Sequence, residues 1–289
     1  MAKVAVVGVG AIGGVLAGLL QQAGTHDITL CTRSPLAKLQ VETPGGEVTV
    51  DARNLTQPSS AGAVDWVLVA TKTYDAESTA AWFAGLCGEN TRVAIVQNGV
   101  EHRERFAAYL RPGQLVPVII DCPAERRAAG SVLQRGVAKM RVEDGQADFA
   151  ELFRGSLASV EQTADFKTAA WQKLCINAAG AISALTMKPA GVLRDEALGR
   201  VAMEMVQECV AVGRAEGALL DDEIPQRVLD GYRAGPPDSI NSMLADRLAG
   251  RRMEIDARNG VIVRRGEKHH IATPCNLMAV ALLGATGAR

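Results

Sequence analysis

The chain has 289 residues, 48% of them hydrophobic and 22% charged, enough for two ordinary domains with their own cores and too apolar for a disordered protein. Its 31 basic and 32 acidic residues leave a formal net charge of -1, with no broad basic field or polybasic arm for nucleic acid. No apolar stretch approaches the ~20 residues that span a bilayer, and the first strand begins too early for a signal peptide, so a cytoplasmic protein without a membrane or nucleic-acid partner is expected.

In chain order, Lys3 to Gly13 read Lys-Val-Ala-Val-Val-Gly-Val-Gly-Ala-Ile-Gly, and a helical pattern continues through Leu20. Glycines at this spacing in a strand-to-helix turn let the backbone approach a pyrophosphate, while the helix N-terminus supplies N–H groups and positive dipole. Gly8, Gly10, Ala11, Ile12 and Gly13 are therefore the candidate dinucleotide loop. Further apolar runs at 28–31, 66–70, 93–96 and 115–120 suit the interior of a parallel sheet covered by helices. The expected class is α/β, a Rossmann-type doubly wound sheet. Residues 130–143 read as a hairpin or sheet extension that closes this first domain.

From about Asp165 the strand signals vanish, and apolar residues recur at three and four residue spacing, including 197–216 and 274–283. Pro236-Pro237 breaks one helix before Ser239 opens another that carries Ser242, Met243 and Asp246. An all-helical C-terminal domain follows, with domains at 1–164 and 165–289. The six cysteines, Cys31, Cys87, Cys122, Cys175, Cys209 and Cys275, form no C-x-x-C pair and read as reduced thiols, and no metal site is expected.

After the second strand, an NAD site usually places an acid for the ribose 2′-OH. Here the residues are Cys31-Thr32-Arg33-Ser34, so Arg33, with Thr32 and Ser34 as donors, suits a 2′-phosphate and favours NADP; a solvated arginine beside a turn is the plainer alternative. Lys72 and Asn98 follow later strands, at the edge where such sheets bind ligands. Lys72 suits a cofactor phosphate or ribose and Asn98 the nicotinamide ribose or the substrate, although Asn98-Gly99 is also an ordinary turn.

In the helical half, Lys173 and Asn177 stand four apart on one face of an otherwise apolar helix. The lysine either snorkels to water or acts as general acid, since hydride delivery to a ketone leaves an alkoxide that an ammonium both stabilises and protonates. The four histidines offer no substitute: His26 precedes the second strand, His102 fits no histidine-based site, and His269-His270 lie in a charged stretch expected to be loop. Ser242 and Glu254, both expected on helices, add a donor for a substrate carboxylate and an acceptor for a ribose hydroxyl or for Lys173, unless they belong to solvated helix faces.

Together, Gly8-x-Gly10-Ala11-Ile12-Gly13, Lys72, Gln97-Asn98-Gly99, Trp171-x-Lys173-Leu174-x-x-Asn177, Ser242-Met243-x-x-Asp246, Glu254-Ile255-Asp256-x-x-Asn259-Gly260 and Thr273-Pro274-x-Asn276 form an ordered set. It resembles the ketopantoate reductase (2-dehydropantoate 2-reductase) family over essentially the whole chain. The resemblance implies an interdomain active site and NADPH-dependent reduction of a 2-keto acid to a 2-hydroxy acid, by default ketopantoate to pantoate. It implies Lys173 as general acid, Asn98 and Glu254 in cofactor and site geometry, Asn98, Asn177 and Ser242 at the substrate, and Arg33 and Lys72 at cofactor phosphates. A homodimer is compatible with it.

The chain departs from the family where Ala181 and Ala190 stand in place of common asparagines. Those losses raise the expectation of a more apolar pocket and a less hydroxylated 2-keto acid, since polar groups of ketopantoate would go unpaired. Two other readings stay in play: a non-catalytic NADP-binding regulatory homologue, and a secondary amine dehydrogenase, for which no suitable histidine is evident.

Overall fold

A computed structural model describes residues 1–24 and 26–286. The chain forms two compact units: Met1–Gln97 with Glu101–Phe166, and Asn98–Val100 with the chain from Lys167 onward.

The strands of the first unit are β1 (Ala2–Val7), β2 (His26–Cys31), β3 (Leu39–Thr43), β4 (Gly46–Val50), β5 (Arg53–Leu55), β6 (Val64–Val69), β7 (Cys87–Ile95), β8 (Leu115–Pro117), β9 (Ile119–Asp121), β10 (Ala124–Ala128), β11 (Ser131–Gln134), β12 (Ala138–Glu143) and β13 (Ala158–Thr163). Its helices are α1 (Ala11–Ala23), α2 (Ala76–Ala80), α3 (Phe83–Leu86), α4 (His102–Phe106) and α5 (Ala147–Glu151).

A six-stranded sheet runs β5-β2-β1-β6-β7-β8, and every pairing in it is parallel. Numbered by their own turn in the chain, these strands give the order 3-2-1-4-5-6, the doubly wound arrangement, and its direction reverses between β1 and β6. Val4, Val6, Leu68 and Ala94 are fully buried, as the unbroken apolar runs require of strands covered on both faces. Helix α1 packs between this sheet and a second one of order β10-β11-β3-β4. A Cβ at Gly14 would lie 2.6 Å from Val132 Cγ2, and one at Gly18 3.0 Å from Val41 Cγ2. Close packing therefore outweighs the roughly 1 kcal/mol by which each helical glycine is disfavoured relative to alanine.

Two local expectations need correction. The strands within 130–143 form no hairpin: β11 joins the second sheet, whereas β12 pairs with β13 and β9 in a third sheet of order β13-β12-β9. The 115–120 run is also not one strand, because it divides after Pro117, where β8 ends the first sheet and β9 enters the third.

The second unit contains α6 (Phe166–Ala179), α7 (Ala181–Thr186), α8 (Glu196–Ala215), α9 (Ile224–Ala234), α10 (Ser242–Leu248), α11 (Val261–Lys268) and α12 (Pro274–Ala285), with no strand among its described residues. Its core gathers Trp171, Leu174, Cys175, Met205, Val206, Cys209 and Ile262. Helix α8 starts where the Asp195 side chain accepts from Leu198 N at 3.0 Å, which satisfies one orphan amide of the first turn. Helix α10 starts at Ser242 rather than Ser239, because the Asn241 side chain accepts from Met243 N and Leu244 N and so caps it. The charged stretch 264–268 is helical, not loop: Val261, Ile262, Val263 and Gly266 bury one face of α11, and His269 and His270 follow its end. Glu254 lies outside any helix, in an irregular segment just before a π-helical turn, Asp256–Gly260.

Candidate active site

In the first unit, the glycine turn sits beyond the C-terminal end of β1, beside the loop after β6, at the point where strand order reverses. Gly8 has φ +92°, and Gly13 packs so tightly that a Cβ there would lie 2.0 Å from Gly8 O. These two glycines are required by the turn itself. Gly10, the N-cap of α1, differs: a Cβ would meet nothing within 4 Å and φ is -88°. Its missing side chain leaves open space at a helix N-terminus, a cradle that suits a pyrophosphate. Ala11 and Ile12 complete the first turn of α1 and are partly buried.

Around this turn, Gln97 Nε2 donates to Thr71 O and Thr71 Oγ1, both at 3.0 Å, and thereby fixes the loop that presents the half-buried Lys72. The Gln97 carbonyl is bound in turn by His102 Nε2 at 2.9 Å. Burial pushes the His102 ring down to about 4, so it is a neutral structural group. Arg33 Nη2 lies 2.6 Å from Asp75 Oδ2, with its side chain 78% exposed; the guanidinium is held beside the Lys72 loop and open to solvent. Thr32 departs from expectation: its hydroxyl donates to Ser34 O at 2.8 Å, so its proton serves the turn rather than a ligand.

In the second unit, Lys173 and Asn177 stand half-buried on α6. Where α6 gives way to α7, side chains from distant elements bind backbone carbonyls, and Ile176 O also accepts from Gly180 N at 3.3 Å. Tyr232 Oη donates to Ile176 O at 2.9 Å, Arg258 Nη2 to Asn177 O at 2.6 Å, and Asn241 Nδ2 to Gly180 O at 2.9 Å. Gly180 is glycine for this reason, since a Cβ would lie 2.9 Å from both Arg258 Nη2 and Tyr232 Oη. Arg258 also donates through Nη1 to Ser242 Oγ at 3.4 Å. It is 2% exposed, and burial lowers its pKa against the opposing field of Tyr232, Glu254 and Asp246. Sequence reasoning missed Arg258, which reads there as a solvated charge.

The segment Asn98–Val100 joins this cluster. Gly99, at φ +96°, brings the backbone so close that a Cβ would lie 2.7 Å from Ala257 O. Asn98 Nδ2 donates to Glu254 Oε2 at 3.0 Å, and Glu254 is buried. A carboxylate only accepts, so the amide nitrogen faces Glu254 and Asn98 Oδ1 is turned away from it. The structure thus gathers Asn98, Asn177, Lys173, Ser242 and Glu254 into the second unit, and Gly8 to Gly13, Arg33 and Lys72 into the first.

Other members of the ordered motif set serve the fold. Asn259 Nδ2 donates to Asn276 Oδ1 at 2.8 Å, Asn276 Nδ2 donates to Met205 O at 3.0 Å, and both asparagines are fully buried. Asp246 accepts from Arg251 Nε at 2.9 Å. Ala181 is fully buried within the helical core and Ala190 is 7% exposed. Burial pushes the Cys31 and Cys122 thiols up to about 12 and Cys87 to about 11, so none is a ready nucleophile. Among the described residues, no group of three or more His, Cys, Asp or Glu is placed to hold a metal ion, and no helix is long and apolar enough to cross a membrane.

The chain matches two family models, described as ketopantoate reductase PanE/ApbA over residues 4–147 and ketopantoate reductase PanE/ApbA C terminal over residues 165–286. It is 52% identical over 287 residues to the 2-dehydropantoate 2-reductase of Caulobacter vibrioides, covering 99% of each chain. The 2-dehydropantoate 2-reductase of Mycobacterium tuberculosis is 40% identical over 286 residues, covering 98% of this chain and 97% of that one. The crystal structure of a PanE/ApbA family ketopantoate reductase from Ralstonia eutropha JMP134 is similar at TM-score 0.89 and 31% identity, covering 98% of both chains.

Proposed function

The chain belongs to the ketopantoate reductase PanE/ApbA family, and from that premise we propose that it reduces 2-dehydropantoate to pantoate with NADPH as hydride donor. The observation that carries this reading is Lys173, an amine half-buried on the same helical face as Asn177, in a chain 52% identical along its length to a protein of that activity. The relatives favour this substrate over a more apolar keto acid, and an active reductase over a non-catalytic homologue.

The residues of the glycine turn fit a dinucleotide because Gly10 leaves a cradle that a Cβ would fill. Gly8, Gly10, Ala11, Ile12 and Gly13 would hold the pyrophosphate on backbone N–H groups, and Lys72 would meet a phosphate or ribose oxygen. Arg33, standing where an acid would accept a 2′-hydroxyl, supports NADP over NAD, with the 2′-phosphate replacing or sharing Asp75 as its partner. When bound, the reduced nicotinamide supplies a hydride to the keto carbon. Lys173 stabilises the negative charge that develops on the carbonyl oxygen and gives that oxygen its proton; the amine then regains a proton from solvent. Asn98, oriented by Glu254, offers its Oδ1 to a hydroxyl of ribose or substrate. Ser242 donates to the substrate carboxylate and Asn177 contacts the substrate beside Lys173.

A cytoplasmic location and a homodimer belong to the same proposal. Exposed Leu277, Met278 and Leu282 on the outer face of α12 support the dimer, which light scattering checks. The activity is tested by following NADPH oxidation with 2-dehydropantoate beside a panel of branched and aromatic 2-keto acids. Pantoate should form with the highest kcat/KM of the panel. No turnover, or a strong preference for an aromatic keto acid, overturns the reading.

A further inference from the structure

Arg258 is 2% exposed, and its hydrogen bonds go to neutral oxygens: the Asn177 carbonyl at 2.6 Å and the Ser242 hydroxyl at 3.4 Å. Its Nε is buried with no hydrogen-bond partner. A buried guanidinium normally sits against a contacting carboxylate, because the desolvation of its charge is otherwise only partly offset. Here both hydrogen-bonded contacts are neutral while the buried carboxylates Glu254 and Asp246 offset the charge through their field, and the contacts tie it to two positions that flank the substrate in the functional reading above.

The second contact also orients a proton. A serine hydroxyl has one donor and two acceptor sites, and a guanidinium has no acceptor. With an N–H of Arg258 directed into its Oγ, Ser242 cannot return its own proton to Arg258; its O–H is left to point elsewhere, and Ser242 is exposed. An outward-directed hydroxyl donor backed by a buried cation is a binding element for a carboxylate. A neutral amide in place of the arginine would supply no charge.

We propose that Arg258 is a positioning residue for a carboxylate-bearing substrate, holding the Ser242 hydroxyl as an outward donor and supplying from behind it the positive charge that the carboxylate meets. The proposal rests on the keto acid reductase reading and adds to it the group that distinguishes a charged 2-keto acid from an uncharged ketone. Arg258 does not touch the substrate. It acts through Ser242.

The test compares kcat/KM for 2-dehydropantoate and for its uncharged lactone, with NADPH, in wild type, Arg258→Met, Arg258→Lys and Ser242→Ala. Arg258→Met should lose roughly 10- to 100-fold on the acid, mostly in KM, and less than about threefold on the lactone, the scale of one charge-assisted interaction. Arg258→Lys should keep most of the acid preference, because the charge survives. Ser242→Ala should lose selectively on the acid, and much less so in the Arg258→Met background, since the two act as one unit. Equal losses on acid and lactone would reduce Arg258 to a structural prop and overturn the proposal. Should Arg258→Met fail to fold, as circular dichroism would show, the same comparison in Arg258→Lys and Ser242→Ala decides, and Ser242→Ala losing equally on both substrates overturns it. An inactive wild type would instead refute the reductase reading itself, and this inference with it.

Discussion

The glycine turn allows the requirements of the fold to be separated from those of the ligand. In Gly13→Ala, the new Cβ would lie 2.0 Å from Gly8 O and 3.3 Å from Ala70 Cβ, so the Gly8 carbonyl must retreat by about 1 Å to reach an acceptable contact. Overpacking of this kind is destabilising by roughly 1–3 kcal/mol, or about 2–4 °C of Tm per kcal/mol for a domain of this size. Gly10→Ala meets nothing within 4 Å and keeps a negative φ of -88°. Its two small effects oppose each other: alanine is a poorer N-cap than glycine, and it lowers the entropy of the unfolded chain by roughly 0.4–1 kcal/mol. Stability should therefore stay within about 1 kcal/mol of wild type, while the methyl occupies the space proposed for the pyrophosphate. The expected outcome is an unchanged Tm with KM for NADPH raised by roughly tenfold or more, as a displacement near 1 Å can cost that and more. Calorimetry and steady-state kinetics on both variants check this. Unaltered NADPH affinity in Gly10→Ala would refute the argument, because the open cradle would then hold nothing.

Three further outcomes follow from the same geometry. Lys173→Ala should lower kcat by roughly 10²- to 10⁴-fold and leave NADPH binding, measured by fluorescence titration, within a few fold; a near-normal rate removes the general-acid role. Arg33→Ala should raise KM for NADPH by roughly tenfold and leave KM for NADH nearly unchanged, whereas equal effects on both dinucleotides rule out the 2′-phosphate assignment. His102 has an ordinary value of 6.5 and is held at about 4 in the fold, so the unfolded chain binds the extra proton first as the solution is acidified. The stability associated with the neutral ring is present above about pH 6.5 and is lost toward pH 4, amounting to about 2–3 kcal/mol by pH 4.5. His102→Gln retains a donor for the Gln97 carbonyl but does not titrate. Its Tm should fall less than that of wild type between pH 7 and 4.5, and parallel declines would contradict the assignment.

Sequence pattern carried the parallel sheet and the glycine turn because both depend on local regularities: unbroken apolar runs, and glycines at fixed offsets after the first of them. It did not carry β4, which reads Gly-Glu-Val-Thr-Val and buries only Val50, nor the division of 115–120 between two sheets, which depends on the distant partners β7 and β12. Lys173 and Asn177 were legible as polar residues in an apolar helix. Arg258 was not, because its importance depends on where Gly180, Tyr232, Asn241 and Ser242 converge, and nothing local marks it. A glycine near the end of a helix was the one available signal, and Gly180 is small for the sake of the polar groups around it. Glu254 was named from its motif but assigned to a helix, whereas the π-helical turn begins just after it and leaves it in irregular chain beside Asn98.

The three-residue stretch Asn98–Val100 has a bearing on how the polypeptide can be taken apart. The chain leaves its first unit after Gln97, lends three residues to the second, returns at Glu101 and departs for good only after Phe166. Severing the gene near codon 165 would not yield two self-sufficient pieces. The distal fragment would lack the amide that donates to Glu254 and the glycine that lies against Ala257, so even a well-folded preparation of it would leave the surroundings of Glu254 and Ala257 incomplete. Inserting a fusion partner between Gln97 and Glu101 should disrupt the helical lobe although the insertion point lies far from it in sequence, and natural or designed recombination between members of this lineage should favour crossovers that inherit 98–100 together with 167 onward from one parent.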